Sequence, residues 1–321
     1  MNETAINWTD ETWNPASGCI KISPGCKHCY AETLAEKYRG KPAFPNGFDP
    51  MLRPWKLGEP FALLRRDGPS LIFVNSTSDL FLPEFVQPMS VEDLDECRGE
   101  KPIRVDADVG DCYVDLVMSV IDQTPDHRYQ ILTKRPELAA AYFAIRGSVP
   151  KNVWMGTTIE RDDYVSRADA LRKIDATVRF ISAEPLLGPL PSLDLTGIHW
   201  LITGGESGDH MKDPAVAEKR GMAVLTPDGW AARPDRVGWA VDVGERAVRI
   251  GAAWWHKQWG GVRPHSAGRA LGGRTYDGMP THVDGAMPPG YDHAARKQKR
   301  ADAKAAKADR RRLKIAGQAH G

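Results

Sequence analysis

The sequence predicts an α/β fold, a partial β/α barrel of about six units. Two observations suggest the parallel sheet and a third suggests the barrel. Short apolar or β-branched runs recur along the chain without clean alternation, as strands buried on both faces do. Stretches with helical spacing lie between several of them, so neighbouring strands run parallel. Polar residues gather where the runs end, and no glycine-rich dinucleotide fingerprint argues for a doubly wound sheet instead.

The elements follow in order. A first strand leads into "GCIKISPGCKHCYAE" (18–32), and "YAETLAEKYRG" reads as a helix stopped by Gly40. A loop rich in Pro and Gly follows, then the runs "SLIFVNS" (70–76), "RYQILTK" (128–134), "NVWMGTTI" (152–159), "TVRFISAE" (177–184), "IHWLITGGE" (198–206) and "GAAWWHKQWG" (251–260). Helices are expected at "VDLVMSVIDQT", "PELAAAYFAI" and "RDDYVSRADALRKI". Two stretches read as insertions, about 87–112 and 211–239, the second with a small hairpin at "GMAVLTPDGW". The expected organisation is a barrel over 1–290 and a basic, flexible or helical tail over 291–321.

Bulk composition narrows the class. A chain of 321 residues, 41% hydrophobic and 26% charged, buries a substantial core. No apolar run reaches the roughly 18–20 residues of a membrane span, so no membrane partner is expected. The polar, acidic N-terminus is unlike a signal peptide, which predicts a cytoplasmic protein. The net charge of +1 is uneven: Ala294 to Lys314 carries +8, leaving −7 for the rest. Such a tail suits a polyanion, or simply solubility.

Three of five cysteines, Cys19, Cys26 and Cys29, form a C-x6-C-x2-C pattern. A reducing compartment argues against disulfides and for metal binding. Three thiolates in one loop leave a coordination position open, on zinc or on an iron–sulfur cluster, and spacing does not choose between them. His28 lies inside the C-x2-C turn, poorly placed to complete a zinc site.

The three-cysteine loop after a first strand, Tyr30 beside the last cysteine and the β/α pattern resemble the radical S-adenosylmethionine superfamily. "WNPASGC…SPGCKHCYAE", "ILTKRPE", "ISAEPLLGPL", "ITGGESG", "KQWG" and "GGRTYDGMP" resemble the phage Gp37/Gp68-type family of unknown function, over about 5–86, 113–210 and 250–282. The superfamily's usual first gap is three residues, and here it is six. Its usual Gly-Gly-Glu after the second strand is replaced by "NSTSD".

The resemblance implies a TIM-like barrel of the radical S-adenosylmethionine type, with a four-iron, four-sulfur cluster (4Fe-4S) on Cys19, Cys26 and Cys29 and S-adenosyl-L-methionine on the open iron. Asp79, flanked by Ser76 and Ser78, would take the cofactor's amino group. Thr157, Thr158 and Glu160 would meet the ribose. Gly204, Gly205 and Ser207 would line the pocket by close backbone approach. Lys134 and Arg135 suit the cofactor carboxylate or an anionic substrate group. Lys134, Glu184 and Glu206 are the catalytic candidates. The plainer reading pairs Glu184 with Lys134 inside the barrel and makes "GGESG" a tight turn. His127, His256 and the tryptophans of "WWHKQWG" read as structural. The implied function is radical chemistry in hypermodification of phage DNA bases, such as isomerisation of an aminoacyl-modified thymidine, with a flavodoxin or ferredoxin as electron donor. The alternatives are a base-repair lyase akin to spore photoproduct lyase, or a non-catalytic, metal-stabilised nucleic-acid-binding protein.

Overall fold

The computed structural model describes residues 2–4, 6–98 and 112–292, with 294–296, 298, 301, 302 and 305. The chain divides into two units, Met1–Pro288 and Pro289–Gly321. In the second, the Arg296 guanidinium lies 5.3 Å from the Tyr291 ring centre. Most of the basic tail lies outside the described residues, as do residues 99–111 of the first insertion.

Seven parallel strands form one curled half-barrel. They are β1 (Glu11–Trp13), β2 (Leu71–Val74), β3 (Arg128–Thr133), β4 (Val153–Thr158), β5 (Val178–Ala183), β6 (Trp200–Gly204) and β7 (Ala253–Gln258). Each pairs with the next in sequence, from β1·β2 through β6·β7. This unbroken order is the arrangement of a barrel wall, and it brings every strand's carboxyl end to one rim. A short strand, Asn2–Glu3, adds antiparallel to β1 and caps that edge. The sheet therefore holds seven parallel strands, where the apolar runs predicted about six units.

Helices fill the connections: α1 (Tyr30–Lys37) and α2 (Glu59–Asp67) before β2, α3 (Tyr113–Asp122) before β3, α4 (Pro136–Arg146), α5 (Ser166–Arg172) and α6 (Val237–Arg249) before β7. Helix α3 has nine consecutive buried residues, which suits a segment apolar on all sides.

Both faces of the sheet are packed, which explains why its strands do not alternate. On the helix side Val153, Met155, Ile131 and Ile181 share one core with Leu116, Val120, Leu171 and Val243. The other, concave side is lined by aromatic rings. Trp200 meets Trp8, Trp154 and Phe180 with ring centres 5.5–5.8 Å apart, and Trp8 meets Phe73 at 4.8 Å. The indole N–H groups of Trp200 and Trp154 donate to the Gly278 and Ala286 carbonyls at 2.8 and 3.1 Å. The segment 278–286 thus covers this layer and satisfies the Trp154 and Trp200 N–H groups.

His127 and His256 are fully buried. His127 Nδ1 accepts from the Ser70 N–H at 3.1 Å, and His256 Nδ1 lies 2.9 Å from the Thr203 hydroxyl. Of the "WWHKQWG" tryptophans, Trp254 joins the helix-side core and Trp259 donates to the Ala270 carbonyl.

The insertion at 211–239 holds a helix, Pro214–Arg220, capped by the Asp213 carboxylate, and the expected hairpin, Ala223–Thr226 with Gly229–Ala232. Among the described residues no helix is long and apolar enough to cross a membrane.

Candidate functional site

The cysteine loop leaves β1 and lies over the carboxyl rim. Its start is fixed by backbone: Cys19 N–H donates to the Phe48 carbonyl at 3.1 Å, and the Ser78 hydroxyl donates to the Gly18 carbonyl at 2.6 Å. A 3-10 turn spans Pro24–Cys26, and Cys29 is the residue that opens α1. All three thiols are free and partly exposed. Among the described residues no group of three or more His, Cys, Asp or Glu side chains gathers around one ion position.

Three buried arginine–carboxylate pairs, each rooted in a different strand end, hold the six residues between Cys19 and Cys26. Arg135, after β3, pairs with Asp79 at 3.2 Å and donates to the Ile20 carbonyl at 2.8 Å. Glu160, after β4, pairs with Arg167 of α5 at 2.8 Å. Its other oxygen accepts from the Ser23 hydroxyl and, at 3.3 Å, from the Gly25 N–H. Glu206, after β6, takes both arms of Arg220 at 2.6 and 2.7 Å. Arg220 also donates to the Pro24 carbonyl at 3.0 Å. Gly25 is needed for the middle tether, because a Cβ there would stand 2.6 Å from the Glu160 oxygen.

These contacts engage four residues that the resemblance placed against cofactor or substrate, Asp79, Arg135, Glu160 and Glu206. Asp79 Oδ1 accepts from Thr133 Oγ1 and Phe81 N, and Oδ2 from Lys134 N and Arg135 Nη1. With four donors on two oxygens it has no acceptor position left for an amino group. Glu160 accepts from Arg167, Ser23 and Gly25, and Glu206 from both arms of Arg220, which in turn holds the loop. Arg135 likewise serves Asp79 and Ile20 rather than an outside anion.

Strand pleating bears on a further expectation. Thr157 shares its face with Val153 and Met155 on the helix side, and its hydroxyl donates to the Thr133 carbonyl at 2.9 Å. Thr158 shares the concave face with Trp154, and its carbonyl is held by Arg167 at 2.9 Å.

The remaining candidates stay at the rim. The Ser76 hydroxyl donates to Asn14 Oδ1 at 3.2 Å. Ser207 Oγ accepts from Gln258 at 3.3 Å. A Cβ on Gly204 would lie 3.3 Å from the Glu184 carboxyl carbon, which places that carboxylate over the β6 end. Gly205 packs on the Trp259 carbonyl, 2.0 Å from where its Cβ would be, so close backbone approach is its requirement.

Glu184 pairs with Lys257 of β7, not with Lys134. Lys134 acts instead on Cys26. Burial opposes the Cys26 thiolate, but the Lys134 ammonium and hydrogen bonds from Ile22 and Ser23 bring its pKa below the ordinary thiol value. Burial, then the Asp79 charge, pushes Cys19 up to about 12 against the pull of Arg135.

Several residues of the site were not singled out from sequence. Arg167 lies on the helix after Glu160, seven positions on, a spacing with a recognisable partner logic. Arg220 and Lys257 carry no such cue, since Arg220 sits in a stretch that reads as loop. His210 stacks on His28 with ring centres 4.1 Å apart and planes 7° from parallel. Burial lowers both imidazole pKa values. The chain from the β6 end into the second insertion therefore reaches the cysteine loop twice, through His210 and Arg220.

A family profile described as "Protein of unknown function (DUF5131)" matches residues 3–97 and 104–219. Neither a curated protein nor a solved structure matches the chain.

Proposed function

The chain belongs to the DUF5131 family, a membership that assigns no activity, and from the cysteine loop we propose an iron–sulfur, S-adenosylmethionine-dependent radical enzyme. One observation carries the reading. Three free thiols stand on a loop that three buried ion pairs fix to the carboxyl rim of a curled parallel sheet. That rim is where β/α folds do chemistry.

The donor chemistry fits a cluster: three cysteines in one loop supply three thiolates and leave one iron without a protein ligand. Held there by Cys19, Cys26 and Cys29, such a cluster would supply one-electron chemistry to S-adenosylmethionine and, through it, hydrogen abstraction from a substrate. This chain's residues do the rest. Lys134 offsets negative charge beside Cys26. The Glu184–Lys257 pair and Thr158 offer polar groups to the cofactor or substrate. Gly204 leaves room for the Glu184 carboxylate over the β6 end. The aromatic layer of Trp154, Phe180 and Trp200 closes the concave side below and excludes water.

For substrate we take a nucleobase in DNA, by radical isomerisation or a related modification, with a small one-electron carrier as reductant. The +8 charge of the tail supports a polyanionic partner. The test is anaerobic reconstitution with iron and sulfide. The reading expects a brown protein with about four irons per chain that forms 5′-deoxyadenosine from S-adenosylmethionine after reduction. A colourless, zinc-loaded protein that forms none would overturn it.

A further inference from the structure

Helix α1 starts at the last cysteine and presents one face to solvent. Tyr30, Leu34 and Tyr38 recur every fourth residue, so they share a stripe. They are 58%, 39% and 42% exposed, although residues of this kind at such spacing normally face a core. The neighbouring stripe, Ala31 and Ala35, is the buried one and packs on Phe48. The stripe is also anchored at the reaction rim. The Tyr30 hydroxyl donates to the Ser76 carbonyl, which fixes the ring beside the β2 end.

The charges along the stripe have one sign. The helix acids Glu32 and Glu36 are neutralised by Lys21 at 2.7 Å and Arg39 at 2.6 Å. Lys37 and Lys41 have no acidic partner among the described residues, and the Lys37 ammonium stands 5.7 Å from the Tyr38 ring centre. Phenol rings alternating with unpaired ammonium groups are the surface chemistry that single-stranded nucleic acid uses: bases stack on rings and phosphates meet cations.

We propose that the Tyr30–Leu34–Tyr38 face of α1, with Lys37 and Lys41, holds an unpaired stretch of nucleic acid that leads into the reaction rim. Eight helical residues separate the two rings by about 12 Å. Stacked nucleotides rise about 3.4 Å each, so three or four steps span them. The proposal deepens the functional reading by naming the substrate's single-stranded form, and rests on it only for what happens at the rim.

The test is fluorescence anisotropy of the full chain with a short labelled oligothymidylate over a series of salt concentrations. Tyr38→Ala is expected to weaken binding about tenfold, with the salt slope unchanged. Tyr38→Phe keeps the ring and is expected to bind as the wild type does, which separates stacking from folding. Lys37→Glu with Lys41→Glu is expected to weaken binding and lower the log–log salt slope by about 1.4, the share of two phosphates. The same sequence as a duplex is expected to bind more weakly than the single strand. Wild-type affinity in Tyr38→Ala overturns the proposal, as does equal affinity for the duplex. So does a lysine double variant that keeps oligonucleotide affinity but loses an acidic flavodoxin, which would make the face a protein-docking site. Failure of the enzyme reading is measured separately, in the iron content and 5′-deoxyadenosine of the unaltered chain.

Discussion

The two halves of the cysteine segment are built differently. Between Cys19 and Cys26 three buried arginine–carboxylate pairs reach in from β3, β4 and β6, beside one surface pair from Lys21 to Glu32 of α1. From Lys27 to Tyr38 the chain is a turn and a helix with one solvent-facing side, and no buried ion pair among the described residues holds it; Glu36 pairs with Arg39 at the surface. Surface pairs contribute about 0–1 kcal/mol, whereas breaking a buried pair by removing one partner costs about 3–5 kcal/mol. The difference teaches that the first half fixes where the thiols stand and the second meets what arrives from outside. It also accounts for the six-residue first gap. That much chain reaches all three tethers, so the loop's shape is set by the protein before any metal binds.

The largest expected effect separates the cysteines. Cys26→Ala should abolish iron uptake on reconstitution, while Cys97→Ala, in the helix-side core, should leave iron content at the wild-type level. Equal loss in both would mean that the thiols act through the fold rather than as ligands.

Next comes the tethered half. Arg220→Leu strands the buried Glu206 carboxylate and should lower unfolding free energy by about 3–5 kcal/mol in urea titration. Glu206→Leu with Arg220→Leu removes both charges and should recover much of that loss while still disordering Pro24. Hydrogen exchange at residues 20–26 would show the disorder directly.

A smaller and more local effect is expected at Gly25. Gly25→Ala forces the Glu160 carboxylate off the loop, so exchange at Ser23 and Gly25 should rise with a stability cost of about 1–2 kcal/mol. A variant that exchanges as slowly as wild type would show that the Glu160 tether is not what orders the turn.

Acid sharpens the comparison from outside the loop. Burial, then Arg269, lowers the His256 pKa to about 4, below the value near 6.5 of an unfolded chain. The unfolded state then binds more protons between those pH values. The stabilisation is full above about pH 6.5 and is lost as pH falls towards 4, by about 3 kcal/mol. His256→Gln should flatten that part of the urea-midpoint profile without changing exchange in the loop.

Much of this was legible in the sequence. The apolar runs gave β2 to β7 because strands buried on both faces need no alternation. Strand β1 is only three residues, "ETW", too short for any period to register. Polar strand ends correctly marked the rim. They misled about direction, because a carboxylate after a strand can turn towards a ligand or towards its own loop. Glu160 turns to the loop, and Asp79 and Glu206 turn to the arginines that hold it, which only their distant partners show. Arg135 and Arg220 lie 56 and 14 positions away, so no local pattern links them. Thr157 and Thr158 differ only by pleat parity, which a six-residue run without alternation does not declare.

The central claim is that Cys19, Cys26 and Cys29 hold a cluster with one iron open to S-adenosylmethionine. Electron paramagnetic resonance of the reduced, reconstituted chain tests it most directly, before and after the cofactor is added. The account predicts a four-iron cluster spectrum that changes when S-adenosylmethionine binds. No cluster spectrum, or one that the cofactor leaves unchanged, would contradict it.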